Sequence, residues 1–161
     1  VADDSDTRGE VLLFDVSTPA TISEIVGART NFPGNQDGVS VFLIGTKLYF
    51  GRQSVTSGPE LYVLDASNPK GVSNGLPTVG APQETRGEVL SIRVVAQFVF
   101  LVSSKSKEEF QVWNISNPAN IALIKKYNFG DIVAGGIDYE ADFIYATGDA
   151  TPNFQILYSP I

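Results

Sequence analysis

Glu60-Leu61-Tyr62-Val63-Leu64-Asp65-Ala66-Ser67-Asn68-Pro69 decides how the chain is read, because the chain writes it more than once. An earlier copy runs Glu10-Val11-Leu12-Leu13-Phe14-Asp15-Val16-Ser17-Thr18-Pro19, and a later one runs Glu109-Phe110-Gln111-Val112-Trp113-Asn114-Ile115-Ser116-Asn117-Pro118. A clipped fourth is Asn153-Phe154-Gln155-Ile156-Leu157-Tyr158-Ser159-Pro160. Self-similarity at a period of roughly 20–50 residues marks stacked units, none of which buries its apolar face alone. The repeat sets an architecture; it does not by itself name a biochemical task.

Aligned on this stretch, the copies lie 50 residues apart (Asp15 to Asp65), then 49 (Asp65 to Asn114), then 44 (Asn114 to Tyr158). A second column supports the register: Leu48-Tyr49-Phe50-Gly51 matches Phe98-Val99-Phe100-Leu101, then Phe143-Ile144-Tyr145-Ala146. A third lies upstream, where Val39–Ile44 matches Val89–Val94 and, more weakly, Ala134–Tyr139.

Each unit reads as four strands. In the second unit these are Val39–Ile44, Leu48–Arg52 after a tight Gly45-Thr46-Lys47 turn, Leu61–Ala66, and a strand near Pro77–Gly80. The runs are β-branched and aromatic, with Gly, Ser, Asn and Pro between them. No stretch sustains a helical i, i+3, i+4, i+7 pattern. Val11-Leu12-Leu13-Phe14 and Val99-Phe100-Leu101-Val102 are apolar at every position rather than alternating. A strand of that kind needs cover on both faces, which small antiparallel sheets stacked face to face supply. Radial stacking of four-stranded sheets is the β-propeller.

The Asp/Asn-x-Ser-x-Pro ending has a local cause. Asp15, Asp65 and Asn114 end the third strand, where an Asx side chain accepts a backbone N–H in a turn; Ser17, Ser67 and Ser116 do the same more weakly. Pro19, Pro69 and Pro118 then fix φ and stop the ladder. With one copy Asn and another Tyr158, a strand-stop explains these positions better than catalytic carboxylates.

Glu60–Pro69 and Leu12–Pro19, with the Gly45-Thr46-Lys47-Leu48-Tyr49-Phe50 strand before the first of them, resemble the LVIVD repeat. That family's pattern is a hydrophobic strand running into Asp-x-Ser-x-Pro, preceded by a Gly-x-x-aromatic-Tyr strand. The resemblance covers nearly the whole chain and implies a β-propeller, often in bacterial or archaeal surface and secreted proteins without known activity. The chain departs from the pattern at Trp113-Asn114, closer to a WD-repeat strand end, and at Leu157-Tyr158, where the Asp is missing. The expected fold is therefore all-β, a partial or open propeller with three to four blades of four antiparallel strands. It forms one repeat domain over 1–161, divided as a part blade at 1–30, blades at 31–80 and 81–129, and a part blade at 130–161. This register yields thirteen strands, whereas closed propellers use roughly four to eight blades. The terminal sheets then need cover.

Bulk properties narrow the function classes. With 43% apolar and 18% charged residues the composition is globular. No run reads as a transmembrane helix or a signal segment, so no membrane insertion within this chain is expected. The start at Val1 and the absence of Met read as a trimmed piece of something longer. The net charge of −7 argues against a nucleic-acid partner. The charge is uneven: residues 131–161 hold five acids and no base, and residues 86–126 hold six bases against three acids. There is no Cys, hence no disulfide framework or thiol chemistry, and no His, the commonest general base and metal ligand.

Candidate chemistry is sparse. Asp3-Asp4-Ser5-Asp6-Thr7-Arg8-Gly9-Glu10 offers oxygen at Asp4 and Asp6, as a calcium loop does, yet Arg8 stands where an oxygen is needed and the EF-hand spacing is missing; a solvated acidic turn is the better reading. Ser104-x-x-Lys107 has the penicillin-binding spacing but lies between strands without partner motifs, so it reads as a hairpin tip. Asn114-Ile115-Ser116 is a glycosylation sequon placed at a strand end. Tyr49, Tyr62, Tyr127, Phe50, Phe100 and Trp113 could line a sugar-binding face, but their strand columns read as core between blades. No catalytic, cofactor-binding or metal residue, and no cofactor, is nominated. The loops between second and third strands, 2–9, 52–59, 102–108 and 147–153, vary while their flanks repeat, and would share one rim.

The reading is a non-enzymatic interaction or scaffold module, extracellular or at the cell surface, binding a protein or glycan through that rim. One alternative is a structural subunit that forms homo-oligomers through open terminal blades. Another is a piece of a propeller enzyme whose active residues lie elsewhere, an analogy at fold level only.

Overall fold

The computed structural model describes residues 9–54, 58–130, 134–149 and 154–159. They build four antiparallel sheets taken in chain order, with no α-helix among the described residues. The first sheet pairs β1 (Phe14–Asp15) with β2 (Ser23–Glu24). The second runs β3 (Gly38–Ile44), β4 (Lys47–Arg52), β5 (Leu61–Asp65). The third runs β6 (Val89–Val95), β7 (Phe98–Ser103), β8 (Phe110–Asn114), β9 (Ala122–Tyr127), and the fourth runs β10 (Ala134–Glu140), β11 (Phe143–Gly148), β12 (Phe154–Tyr158).

The first two strands of each later sheet close through a two-residue turn: Gly45-Thr46, Ala96-Gln97 and Ala141-Asp142. Such turns need positive φ, supplied at Gly45 (56°), Ala96 (50°), Ala141 (50°) and Asp142 (66°). The turns also correct the register. Lys47 pairs with Asp65 at the same station as Phe98 with Asn114, so β4 maps onto β7 with an offset of 51, not the 50 that aligns Leu48 with Phe98. A strand apolar on both faces carries no alternation to betray a one-residue slip.

The fourth strand expected near Pro77–Gly80 is present only as a broken edge. The Asp65 N–H donates to the Pro77 carbonyl (2.8 Å), Val79 N–H to Val63 (2.7 Å) and Gln83 N–H to Leu61 (2.8 Å), giving isolated bridges at Thr78 and Gln83. Between them Gly80 turns left-handed (φ 69°) and Pro82 has no N–H to donate, so the ladder lapses.

The strand-stops form as the residue types demand. Asp15, Asp65 and Asn114 Oδ1 accept the N–H of Ser17 (3.0 Å), Ser67 (2.9 Å) and Ser116 (2.8 Å). The last of these shows the sequon asparagine using its side chain for the turn.

Three apolar layers separate the four sheets. Val11, Ala28 and Phe32 meet Leu48, Phe50, Tyr62 and Leu64 of the second sheet. From its opposite face Tyr49, Leu61 and Val63 meet Val99, Leu101 and Trp113 of the third. Phe100, Val102 and Phe110 then meet Ile144 and Ala146 of the fourth. Adjacent residues of β4 and β7 thus bury into different layers, the two-sided cover their composition requires. The sheets approach closely at chosen glycines. A Cβ on Gly27 would fall 2.1 Å from the Val72 carbonyl oxygen, and one on Gly80 2.1 Å from that of Ala119.

Candidate functional site

Each full copy of the repeated stretch begins with glutamate. Glu10, Glu60 and Glu109 are only 1–2% exposed, although carboxylates are rarely buried unless their oxygens are satisfied. Glu60 and Glu109 sit where the loop from a second strand enters a third strand, and all three lie against the segment that leaves one sheet for the next. Glu109 accepts the Lys107 N–H (2.7 Å) on Oε1 and the Phe129 N–H (3.0 Å) on Oε2. Glu60 Oε2 accepts the Thr85 N–H (2.8 Å), the Thr85 hydroxyl (3.2 Å) and the Arg86 N–H (3.2 Å). The carboxylate thus staples the crossing segment to its own sheet, a charge-assisted use of backbone donors.

At Glu10 the arrangement changes. Its Oε1 receives the Arg52 guanidinium at 2.5 Å, with both side chains about 3% exposed. Arg52 also donates to the Tyr62 hydroxyl (3.2 Å) and to the Pro33 and Gln36 carbonyls, and its guanidinium stands over the Phe32 ring at 5.6 Å and the Tyr62 ring at 5.8 Å. Burial nevertheless raises the pKa of Glu10 above the usual carboxylate value, opposed by Arg52 and by the Phe32 amide. Glu10 Oε2, Arg52 Nε and Glu60 Oε1 are buried without a hydrogen-bond partner among the described residues.

The Glu60 staple extends into the next sheet through neutral groups. The Gln111 side-chain N–H donates to the Thr85 carbonyl (3.1 Å), and the Trp113 indole N–H donates to Gln111 Oε1 (3.1 Å). These carboxylates were not singled out in the sequence, although one letter heads all three copies; the strand-stop at the other end drew the reading.

Other candidates resolve as follows. Asp3, Asp4, Asp6 and Arg8 lie outside the described residues, as do 150–153 and 55–57 of the variable loops. Among the described residues no three carboxylates, histidines or cysteines converge as a cation cage. In the 102–108 loop Ser104 Oγ accepts the Glu88 N–H (2.9 Å), while Lys107 takes positive φ (66°) and gives its N–H to Glu109. Those residues close a hairpin tip. Tyr49, Phe50, Tyr62, Phe100 and Trp113 are buried between sheets. Tyr127 is 50% exposed and departs from that expectation, because no strand covers that part of β9 among the described residues.

Two cavities lie between adjacent sheets. One of about 530 Å³, between the first and second sheets, is walled by Leu12, Phe14, Ile22, Val41, Leu43 and neighbours. Another of about 320 Å³ lies between β8–β9 of the third sheet and β11–β12 of the fourth. Neither has a carboxylate in its wall.

No protein-family model matches the sequence, and no curated protein matches it. Among solved structures the chain is similar to the crystal structure of the computationally designed Ika4 protein, with a TM-score of 0.58 and 7% identity over 79% of this chain and 69% of that one. At that identity the likeness concerns the fold alone. No helix among the described residues is long and apolar enough to cross a membrane.

Proposed function

We propose that the four sheets are blades of an LVIVD-like β-propeller and that the chain is a non-enzymatic interaction or scaffold module, secreted or at the cell surface, which holds a protein or glycan on the rim formed by its variable loops. The observation that carries this reading is the use made of the repeat's buried carboxylates. Glu10 Oε1, Glu60 Oε2 and both oxygens of Glu109 are engaged by Arg52 or by backbone amides, so the groups best suited to acid–base work brace the frame instead. Rigid frames that carry variable loops commonly bind through them. The test is a glycan array and a panel of displayed extracellular domains, probed with the chain and with a version whose loop residues 53–59 and 104–108 are replaced by Gly-Ser linkers, leaving Arg52, Val102 and Ser103 of the strands in place. A ligand lost with the loops while the fold persists supports the reading. A ligand indifferent to the loops, or hydrolytic turnover abolished by Glu60→Gln, overturns it.

A second reading has its own observation. Phe14 and Ile22 at one end, and Phe143, Phe154, Ile156 and Tyr158 at the other, are exposed large apolar side chains on or beside the terminal sheets. In a structural subunit such faces meet head to tail between copies. A mass independent of concentration in sedimentation removes it.

A further inference from the structure

Arg29, Lys47, Arg52, Lys70, Arg93 and Lys126 each face a carboxylate within ion-pair distance. Arg86, Lys105, Lys107 and Lys125 make no ion pair among the described residues. Lys125 lies on β9, but the other three meet on one rim. Segment 85–88, which leads into β6, lies directly on the loop that leads into β8. The Ser104 N–H donates to the Glu88 carbonyl (3.0 Å), the Glu88 N–H to Ser104 Oγ (2.9 Å), and the Gln111 side-chain N–H to the Thr85 carbonyl (3.1 Å). A Cβ on Gly87 would fall 2.6 Å from the Lys105 nitrogen, so the glycine is what lets Lys105 sit against the residue after Arg86.

Two of these cations also occupy backbone that glycine takes more cheaply. Arg86 has φ 65° and Lys107 φ 66°. The other non-glycine residues with positive φ among those described, Ala96, Ala141 and Asp142, sit in the two-residue hairpin turns that demand it. The repeat's buried carboxylates hold both segments: the Arg86 N–H donates to Glu60 Oε2 (3.2 Å) and the Lys107 N–H to Glu109 Oε1 (2.7 Å). Neither bond uses the side chain, so glycine would serve the frame as well. A long cation kept on left-handed backbone is an outlier of the kind that marks binding loops. Arg86 and Lys107 are exposed and Lys105 is half-buried. Of the acids on the same segments, Glu108 is taken by Lys126 (2.5 Å), and Glu84 and Glu88 make no ion pair among the described residues.

We propose that Arg86, Lys105 and Lys107 form an anion-recognition patch on the rim of the third sheet, and that its ligand is an acidic glycan whose sulfate or carboxylate oxygens they take. The Arg86 guanidinium grips such a group through parallel N–H bonds, and the two lysines supply point charges beside it. None of the exposed large apolar side chains among the described residues falls within 81–109. The patch therefore offers nothing to the apolar side chains of a peptide, whereas a hydroxyl-rich chain needs no such contact. The net charge of −7 confines the attraction to this rim and disfavours a long nucleic acid. This rests on the rim-binding reading and gives that rim a ligand class.

The probe is a heparin-derived hexasaccharide, titrated against the whole chain by calorimetry and followed by amide shifts in NMR. Saturable binding is expected, with shifts centred on the amides of 85–88 and 104–108 and affinity falling as salt rises. Arg86→Gly and Lys107→Gly should each weaken it about tenfold, the loss of one charge-assisted contact. Their unfolding midpoints should stay unchanged or rise, because glycine suits left-handed backbone. Arg86→Lys keeps the charge without the fork and should lose less than Arg86→Gly. A desulfated hexasaccharide that keeps its carboxylates separates the two sources: retained affinity assigns uronate-bearing glycans, and lost affinity assigns sulfated ones. No saturable binding, shifts elsewhere, or unchanged affinity in both glycine variants overturns the proposal. So does equal binding of a glutamate hexapeptide, which would assign the patch to acidic peptides. If the hexasaccharide fails while a neutral glycan is held through residues 53–59, the patch is overturned and the rim reading survives.

Discussion

The boundary between the first and second sheets and the boundary between the second and third use the same residue in opposite ways. At the first, Glu10 faces Arg52, a full charge at 2.5 Å whose guanidinium stands beside two rings. At the second, Glu60 faces two backbone amides and the Thr85 hydroxyl, and the connection onward runs through Gln111 and Trp113. The position of Arg52 is taken in the third sheet by Ser103, as the pairings Gly38–Arg52 and Val89–Ser103 show. The repeat therefore conserves the acceptor and lets the donor vary. A buried carboxylate can be held by one cation or by several neutral dipoles, and the two solutions fail differently.

Arg52→Met should have the largest effect. It leaves Glu10 buried beside no counter-charge, a loss on the order of 3–5 kcal/mol by urea unfolding at neutral pH. The sign of the pH dependence follows from the raised pKa of Glu10. A carboxyl whose folded pKa lies above its unfolded one stabilises most below the unfolded value and loses that contribution as pH rises through the folded value. The penalty of Arg52→Met should thus shrink in mild acid, and Glu10→Gln combined with Arg52→Met should recover most of it. A double variant no more stable than Arg52→Met alone at neutral pH would show that the cost comes from lost packing on Phe32 and Tyr62 instead.

Gly80→Ala comes next. The new Cβ would fall 2.1 Å from a backbone carbonyl oxygen at a residue with φ 69°, so main chain must move, at a cost of about 2 kcal/mol or more. It should disturb the boundary of the third sheet and leave the Glu10–Arg52 boundary intact, which exchange protection of the two halves will resolve. Glu60→Gln is milder. The amide oxygen can keep the Oε2 place and accept from Thr85 and Arg86 while the NH2 takes the unpartnered Oε1 place, so what is lost is the charge assistance, and about 1–2 kcal/mol is expected.

What was legible in the residues follows the same division between local and non-local causes. The strand-stops were readable because Asp65 and Ser67 explain themselves within three residues. The two-sided burial of β4 and β7 was readable from unbroken apolar runs. The register was not, since Phe98 looks like Leu48 but stands where Lys47 stands, and only the Ala96-Gln97 turn decides it. An alanine at φ 50° advertises no turn in the way Gly45 does. The glutamate staples were visible as a repeated letter, but their partners, Thr85 and Phe129, lie 20 or more residues downstream at unequal spacing, and Arg52 belongs to the next sheet. A pattern search at a fixed period cannot find a partner whose spacing varies.

The smallest expected effect tests the claim that acceptors are kept while charges are free to change. Asp65 is held below the usual aspartate pKa first by the Ser67 amide and hydroxyl and then by Lys47. A lowered folded pKa stabilises above the unfolded value, near 3.8, and the contribution is lost as pH falls through the folded one. Asp65→Asn keeps an oxygen for the Ser67 N–H, as Asn114 does for Ser116 in the third sheet. It should therefore change stability little at neutral pH while flattening the acid limb of the unfolding curve. Asp65→Ala removes the acceptor for the Ser67 N–H and should be the worse of the two at every pH. If the two variants were equally destabilised at neutral pH, the Lys47 contact would be the interaction that matters at this strand end, and the turn would not.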